Sequence, residues 1–326
     1  MQIYRDLSDV PPPAHPVVAT IGNFDGVHLG HQAVLREVVE RARFLGGRSI
    51  AVTFEPHPRR VLRPSEPVRF ITPTPLKLEL LAASSIDMAL VLPFTEALCR
   101  TSARDFAVNT LVGMLHVTEI HEGENFRFGY HAEAGIQSLE DLGRELGFRT
   151  VSYGPLQSRG DSVSSSRIRA LLTDGEVSSA RALLGRPFLV DSFPAPGRGY
   201  GTRYAVPTVN LAPYSELLPA NGVYITTLRI GESGKAQTFQ AVTNVGLRPT
   251  FGAESFAVES HLLNFHPVEL SASTPLRLTF LRRLRAERRF ASTEALRDQI
   301  RLDVKRAQRY FNLCGALRID GSQISG

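Results

Sequence analysis

The sequence contains no tryptophan and, in 326 residues, only two cysteines, Cys99 and Cys314. Two thiols so far apart make no disulfide framework and no C-x-x-C metal clip, which excludes a stapled secreted scaffold and a zinc ribbon. Long apolar runs are missing too. The cleanest, 88–94, is far shorter than the roughly 20 residues that span a bilayer. The first ten residues carry Arg5, Asp6 and Asp9 and lack the apolar stretch of a secretory signal. With 43% hydrophobic and 21% charged residues the composition is that of a folded chain. The expectation is a soluble, reduced, cytoplasmic protein with no membrane partner.

Charge of one sign is nearly absent as a global feature. Lys and Arg number 37 against 32 Asp and Glu, a net charge of +5. Residues 277–309 alone hold eleven basic and four acidic residues, so the excess is one C-terminal segment rather than a field over the molecule. An aromatic content of 8% without tryptophan offers little stacking beside that segment, and no nucleic-acid partner is expected.

The first half of the chain alternates two textures. Short apolar runs at 17–21, 49–54, 88–92, 118–121 and 150–153 read as strands. Between them 31–45, 76–83, 102–111 and 136–146 show helical spacing, with Gly46-Gly47 and Gly147 as stops. This rhythm predicts an α/β unit with a mostly parallel sheet and helices on both faces. Ligands of such sheets lie beyond the carboxyl ends of the strands. Two shorter helices at 165–172 and 177–184 end at Gly175 and Gly185. Beyond Gly185, runs at 223–229, 239–245, 256–263 and 276–281 read as antiparallel strands, with a hairpin turn at 231–234 and a closing helix at 293–311. A barrel or sandwich is expected there. The expected domains are 1–185 and 186–313, followed by a flexible tail, 314–326.

Two segments carry chemistry. The first, Gly22-Asn23-Phe24-Asp25-Gly26-Val27-His28-Leu29-Gly30-His31, lies between a strand and a helix. Gly26 and Gly30 allow a close ligand approach. The N–H groups of the helix N-terminus favour an anion. Two imidazoles there can donate to phosphate oxygens as charge builds during transfer. The second pairs Pro207-Thr208-Val209-Asn210 with Val258-Glu259-Ser260-His261. In an extended chain Thr208 and Asn210 face one way, as do Glu259 and His261. A hydroxyl and an amide oxygen suit a hard cation, and a carboxylate can take a proton from an attacking hydroxyl.

The first segment resembles the nucleotidyltransferase signature of bacterial bifunctional riboflavin kinase/FAD synthetases, and the resemblance runs on through most of the chain. Thr53-Phe54-Glu55-Pro56-His57-Pro58 is similar to the family's second loop. Ile71-Thr72-Pro73 and Lys77-Leu78-Glu79-Leu80-Leu81 match a further stretch. Gly123-Glu124-Asn125-Phe126-Arg127-Phe128-Gly129 is similar to its G-x-[D/N]-F-x-F-G loop, and Val163-Ser164-Ser165-Ser166-Arg167-Ile168-Arg169 to its I-S-S-T-x-I-R element. The P-T-x-N and V-E-x-H-L-L runs resemble its kinase motifs.

The resemblance implies a Rossmann-like nucleotidyltransferase domain followed by a riboflavin-kinase-type β-barrel with a C-terminal helix. It implies ATP, riboflavin and FMN as substrates and Mg²⁺ as cofactor. In the first domain Gly22, Phe24, Asp25, Gly26, His28, Gly30, His31, Ser164 and Ser165 would hold ATP phosphates. Arg169, with Arg167 as second candidate, would grip the triphosphate. Asn125 would serve ATP or Mg²⁺, and Pro56, His57 and Pro58 the flavin. In the second domain Thr208 and Asn210 would bind Mg²⁺, and Glu259 would be the base.

Departures cluster in that second domain. Asp191-Ser192-Phe193-Pro194-Ala195-Pro196 stands where the family has a glycine-bearing loop, and Ala205 replaces a glycine. Gly199 and Gly201 are the residues expected to rebuild the phosphate loop. The expectation is therefore a bifunctional enzyme, monomeric or a weak homo-oligomer. The alternatives are an FMN adenylyltransferase with a weakened or lost kinase half, and a flavin-responsive regulatory protein.

Overall fold

The computed structural model describes residues 1–66, 68–158, 160–195, 208–232, 234–248, 255–268 and 270–316. They form two compact units, Met1–Ser165 and Ser166–Gly326.

The first unit is built on a six-stranded sheet, parallel throughout. Its order is Gln2–Tyr4, Met88–Pro93, Arg48–Glu55, Val17–Ile21, Val117–Gly123 and Arg149–Tyr153. Every residue of Val17–Ile21 is buried, as expected of a parallel strand covered on both faces. Alternate residues feed two cores. Val17, Ala19, Ile21, Ile50, Val52 and Ile120 pack with Phe106, Leu111 and Leu139 on one face. Val18, Ala51, Ala89 and Val91 pack with Leu35, Val38, Val39 and Leu81 on the other.

The helix Leu29–Phe44 buries Leu35, Val38, Val39 and Ala42, a 3.6-residue stripe. It stops where expected: Gly46 takes φ +62, and a Cβ on Gly47 would lie 2.2 Å from the Pro16 carbonyl oxygen. The helix expected at 102–111 differs in kind. Ser102 caps Ala103–Asp105, and the chain then widens into a π-helix over Phe106–Met114, closed by the Leu115 N–H to the Thr110 carbonyl at 3.0 Å. The edge strand Gln2–Tyr4 was not expected, because three residues carry no readable period.

The second unit is an antiparallel sheet in the order Phe188–Ser192, Leu276–Ala286, Gly222–Ile230, Gln237–Arg248, Ser255–Leu262 and Thr208–Asn210. Its two edges meet. Pro194 bridges Leu211, the Ala195 N–H reaches the Asn210 carbonyl at 2.8 Å, and the Ala212 N–H reaches the Phe193 carbonyl at 2.7 Å. The sheet therefore curls into a barrel-like form, with its two end strands joined at this point. The hairpin glycines Gly231 and Gly234 take φ +101 and +89. The final helix, Thr293–Ala316, packs Val304, Ala307, Tyr310 and Phe311 on Ile225, Val242 and Leu263.

The helices Ser165–Thr173 and Val177–Leu184 pack with this second unit rather than with the sheet, so the compact units part well before Gly185. The Ala220 N–H donates to the Leu172 carbonyl at 3.0 Å, and Arg283 donates to the Asp174 carbonyl at 2.9 Å. The basic segment also has structural work: Arg277 pairs with Asp191 and Arg285 with Asp303.

Candidate active sites, one in each unit

In the first unit the chain leaves Val17–Ile21 at the carboxyl edge of the sheet and enters the 22–31 loop. The backbone there is forced. Phe24 and Val27 take φ +46 and +37 and Gly26 +87. Positive φ at a β-branched valine costs energy and persists only where its surroundings over-determine it. Those surroundings are explicit. The Gly22 N–H donates to the Val52 carbonyl at 2.9 Å, and the Gly26 N–H to Thr72 Oγ1 at 2.9 Å. Asp25, 2% exposed, accepts the Ile71 and Thr72 N–H groups at 2.8 and 3.0 Å. Ser165 Oγ donates to the Asp25 carbonyl at 2.8 Å. The Phe24 ring sits under Gly22, where a Cβ would lie 3.2 Å from it.

The loop delivers two stacked imidazoles. His28 is the N-cap of Leu29–Phe44, its Nδ1 accepting the His31 N–H at 3.4 Å. The two rings lie 3.6 Å apart and nearly parallel, and Phe24 meets His31 edge-on at 5.3 Å. Gly30 leaves the space that His28 fills, since a Cβ there would be 3.2 Å from its ring and 3.8 Å from the Val163 carbonyl oxygen. The histidines, the helix N-terminus, Val163 and Ser165 thus gather at one place. Arg167, exposed, and Arg169, half-buried, follow on the helix Ser165–Thr173.

The structure also shows where three further expected residues stand. His57 is buried: its Nδ1 caps the Arg59 N–H at 3.1 Å and its ring stacks on Phe70 at 4.1 Å, with Pro56 before it and Pro58 opening a short helix. Asn125 is an exposed turn residue beside Gly123. Asp25 points its carboxylate at the 71–72 backbone and acts as a loop anchor.

Two buried ionisable groups beside this loop were not foreseen as site residues. Lys77 donates to Thr53 Oγ1 at 3.3 Å. Glu122 bonds the Ile21 N–H and receives Thr20 Oγ1 at 3.4 Å. Its burial raises the carboxyl pKa well above the ordinary 4.5, outweighing those bonds. Farther along the same strand, Glu119 binds Arg41 and His121, and His121 Nδ1 contacts the Tyr153 hydroxyl at 2.6 Å. A cleft of about 430 Å³ opens over this cluster.

In the second unit Thr208–Asn210 is a strand, paired so that Asn210 faces Glu259 and Thr208 faces His261. Val209, Val258, Ser260 and Leu262 point into the core, so the paired polar residues share the outer face of the barrel. On the other side of Glu259 its partner is Asn244, giving a row Asn210–Glu259–Asn244 across three strands. Asn244 was not foreseen, because register between distant strands is not written in either one. Gly246, two residues on, lets the Glu287 carboxylate come close to the backbone: a Cβ would lie 2.9 Å from Glu287 Oε1. Behind the row, Thr226, Thr243 and Ser260 form a buried hydroxyl chain with links of 2.6 and 2.8 Å that fixes the pleat carrying Glu259. Pro207, Gly199 and Gly201 lie outside the described residues.

A loop with two stacked histidines at a helix N-terminus on a parallel sheet, followed by a curled antiparallel sheet with a carboxylate between two amides, is the arrangement of a two-domain nucleotide-dependent transferase. Comparison with known proteins agrees. The FAD synthetase family profile matches residues 11–167 and the riboflavin kinase profile residues 184–311. The bifunctional riboflavin kinase/FMN adenylyltransferase of Pseudomonas fluorescens is 35% identical over 313 residues, covering 94% of this chain and 97% of that protein. Its counterpart in Escherichia coli K12 is 32% identical over 302 residues, 92% and 95% of the two chains. The chain belongs to this bifunctional riboflavin kinase/FMN adenylyltransferase family. A crystal structure titled a macrolide-efflux protein from Streptococcus pneumoniae superposes with a TM-score of 0.82 over 94% of this chain and 98% of its own; at 24% identity it speaks for the fold alone. Among the described residues no helix is long and apolar enough to cross a membrane.

Proposed function

We propose that the chain makes FMN from riboflavin and ATP in the barrel unit, then FAD and pyrophosphate from FMN and a second ATP at the 22–31 loop. The observation that supports this reading is the presence of two unlike polar constellations on one chain. One has stacked imidazoles at a helix N-terminus, and the other a carboxylate set between two amides.

In the first step the riboflavin 5′-hydroxyl attacks the γ-phosphorus and ADP leaves. Glu259 accepts the hydroxyl proton as the bond forms. Thr208 Oγ1 and Asn210 Oδ1, neutral oxygen donors beside Glu259, fit a hard cation. They are the residues that would hold Mg²⁺, which when bound neutralises charge on the nucleotide phosphates. Asn244, the strand partner of Glu259 on the other side, is assigned to orient its carboxylate. Gly199 and Gly201 are assigned to the ATP phosphates.

In the second step an FMN phosphate oxygen attacks the α-phosphorus in line and pyrophosphate departs. No protein nucleophile is required; positioning and charge stabilisation suffice. The N–H groups at the start of Leu29–Phe44, with Gly22, Gly26 and Gly30, form the cradle. His28 and His31 donate to the phosphates, Ser164 and Ser165 line the pocket, and Arg169, supported by Arg167, meets the leaving pyrophosphate. Asn125 contributes an oxygen to the nucleotide, and Pro56 to Pro58 bound the flavin side. Phe24 and Asp25 act from below by fixing the loop. The reading places the protein in the cytoplasm, as a monomer or weak homo-oligomer that binds no nucleic acid.

Glu259→Gln tests the division of labour. Riboflavin phosphorylation should fall by about 10²–10⁴-fold, while FAD formation from supplied FMN continues. Chromatographic separation of the flavins reads both at once. Undiminished phosphorylation would remove Glu259 as the base.

A further inference from the structure

Lys77 has no part in the chemistry above, yet its setting is unusual. The chain carries thirty-four arginines and three lysines, and Lys77 is the only lysine of the first unit. Among the described residues it is also the only lysine or arginine that is buried, at 4% exposure. Taking an ammonium out of water is costly unless partners replace the water. The groups around it come from one strand and one loop. Nζ donates to Thr53 Oγ1 at 3.3 Å, and the opposite charges acting on it are Asp25 and Glu55. Thr53 and Glu55 are two apart on one strand, directly before the 56–58 loop; Asp25 belongs to the histidine loop.

The segment leading to Lys77 grips the same two places. Ile71 and Thr72 donate backbone N–H groups to Asp25 Oδ1, and the Thr74 hydroxyl bonds Glu55. Residues 71–77 therefore bracket the two loops, with the ammonium at the end of the bracket. A compact cation with rotatable donors suits a buried place beside the Thr53 hydroxyl, held within the 71–77 segment that itself bonds Asp25 and Glu55, where a planar guanidinium fork is bulkier.

We infer that Lys77 is a positioning residue for adenylyl transfer: it neutralises Asp25 and Glu55 together and so fixes the histidine loop against the loop bearing His57. This rests on the adenylyltransferase reading of the first unit. The full chain supplies its own folding control, because riboflavin phosphorylation belongs to the other unit.

Lys77→Met keeps the stem and removes the charge. At saturating substrates, FAD formation from FMN should fall on the order of a hundred-fold, with riboflavin phosphorylation unchanged. Burial lowers the Lys77 pKa below the ordinary 10.5, with Asp25 and Glu55 pulling it back up. The ammonium is thus lost on the alkaline side, and the wild-type rate of adenylyl transfer should decline there before pH 10.5. Lys77→Arg stays charged through this range and should lose that decline, which tests the inference even where Lys77→Met does not fold. A Lys77→Met chain that forms FAD at the wild-type rate overturns the assignment, as does a Lys77→Arg profile superimposable on the wild type. A wild-type chain that phosphorylates riboflavin but forms no FAD would overturn the reading beneath it, a result distinct from either variant's.

Discussion

His28 and His31 show how much of a site one small residue decides. Their rings stack at 3.6 Å because Gly30 between them has no side chain, and Phe24 can brace His31 because Gly22 has none. The H-x-G-H spacing and the strand before it were readable in the sequence. The bracing was not, because the contacts that hold φ +46 at Phe24 and +37 at Val27 come from residues far along the chain. The double variant His28→Ala/His31→Ala should lower FAD formation about 10²–10³-fold or more and leave riboflavin phosphorylation at its wild-type rate. Equal loss of both activities would show a folding defect instead. Asp25 shows what a motif leaves open. A motif marks a position, and the structure decides whether its side chain faces a ligand or, as the Asp25 carboxylate does, the protein.

At the scale of elements, the strands Val17–Ile21 and Met88–Pro93 and the helix end at Gly46-Gly47 were legible because each rule is local: an apolar run, a punctuating glycine. The row Asn210–Glu259–Asn244 was only half legible. That Thr208 and Asn210 share a face follows from a two-residue period, whereas their meeting with Glu259 depends on pairing between strands about fifty residues apart. Glu122 could not be read at all, since its protonation reflects burial beneath neighbours. It stands on the strand Val117–Gly123 with its carboxyl against Thr20 and Ile21, and burial raises its pKa well above 4.5. A carboxyl so raised favours the fold fully below its ordinary pKa, and that contribution is lost as pH rises through the folded value. The unfolding temperature of the first unit should therefore drop as pH is raised from 4.5 through neutrality, and Glu122→Gln should flatten the drop. Each kcal/mol recovered is worth about 2–4 °C for a unit of this size. Identical slopes by calorimetry would show that Glu122 is ionised in the fold.

For the molecule as a whole, the sequence showed a change of texture near Gly185, and packing puts the division at Ser165/Ser166. The reason is physical. The helices Ser165–Thr173 and Val177–Leu184 have their own stops, Gly175 and Gly185, but from Ser166 on they count with the barrel unit, where the Leu172 carbonyl accepts the Ala220 N–H. The basic C-terminal segment, which composition alone leaves unexplained, is drawn into the barrel through Arg277–Asp191 and Arg285–Asp303. Two phosphate sites with different chemistry on one chain remain the central claim, and isotopic label separates them most directly. Purified protein is given riboflavin, Mg²⁺ and ATP labelled at either the α- or the γ-phosphorus. The γ-label should enter FMN and persist in FAD, while the α-label enters FAD alone. Label from the α-position in FMN, or FAD formed without it, would contradict the account.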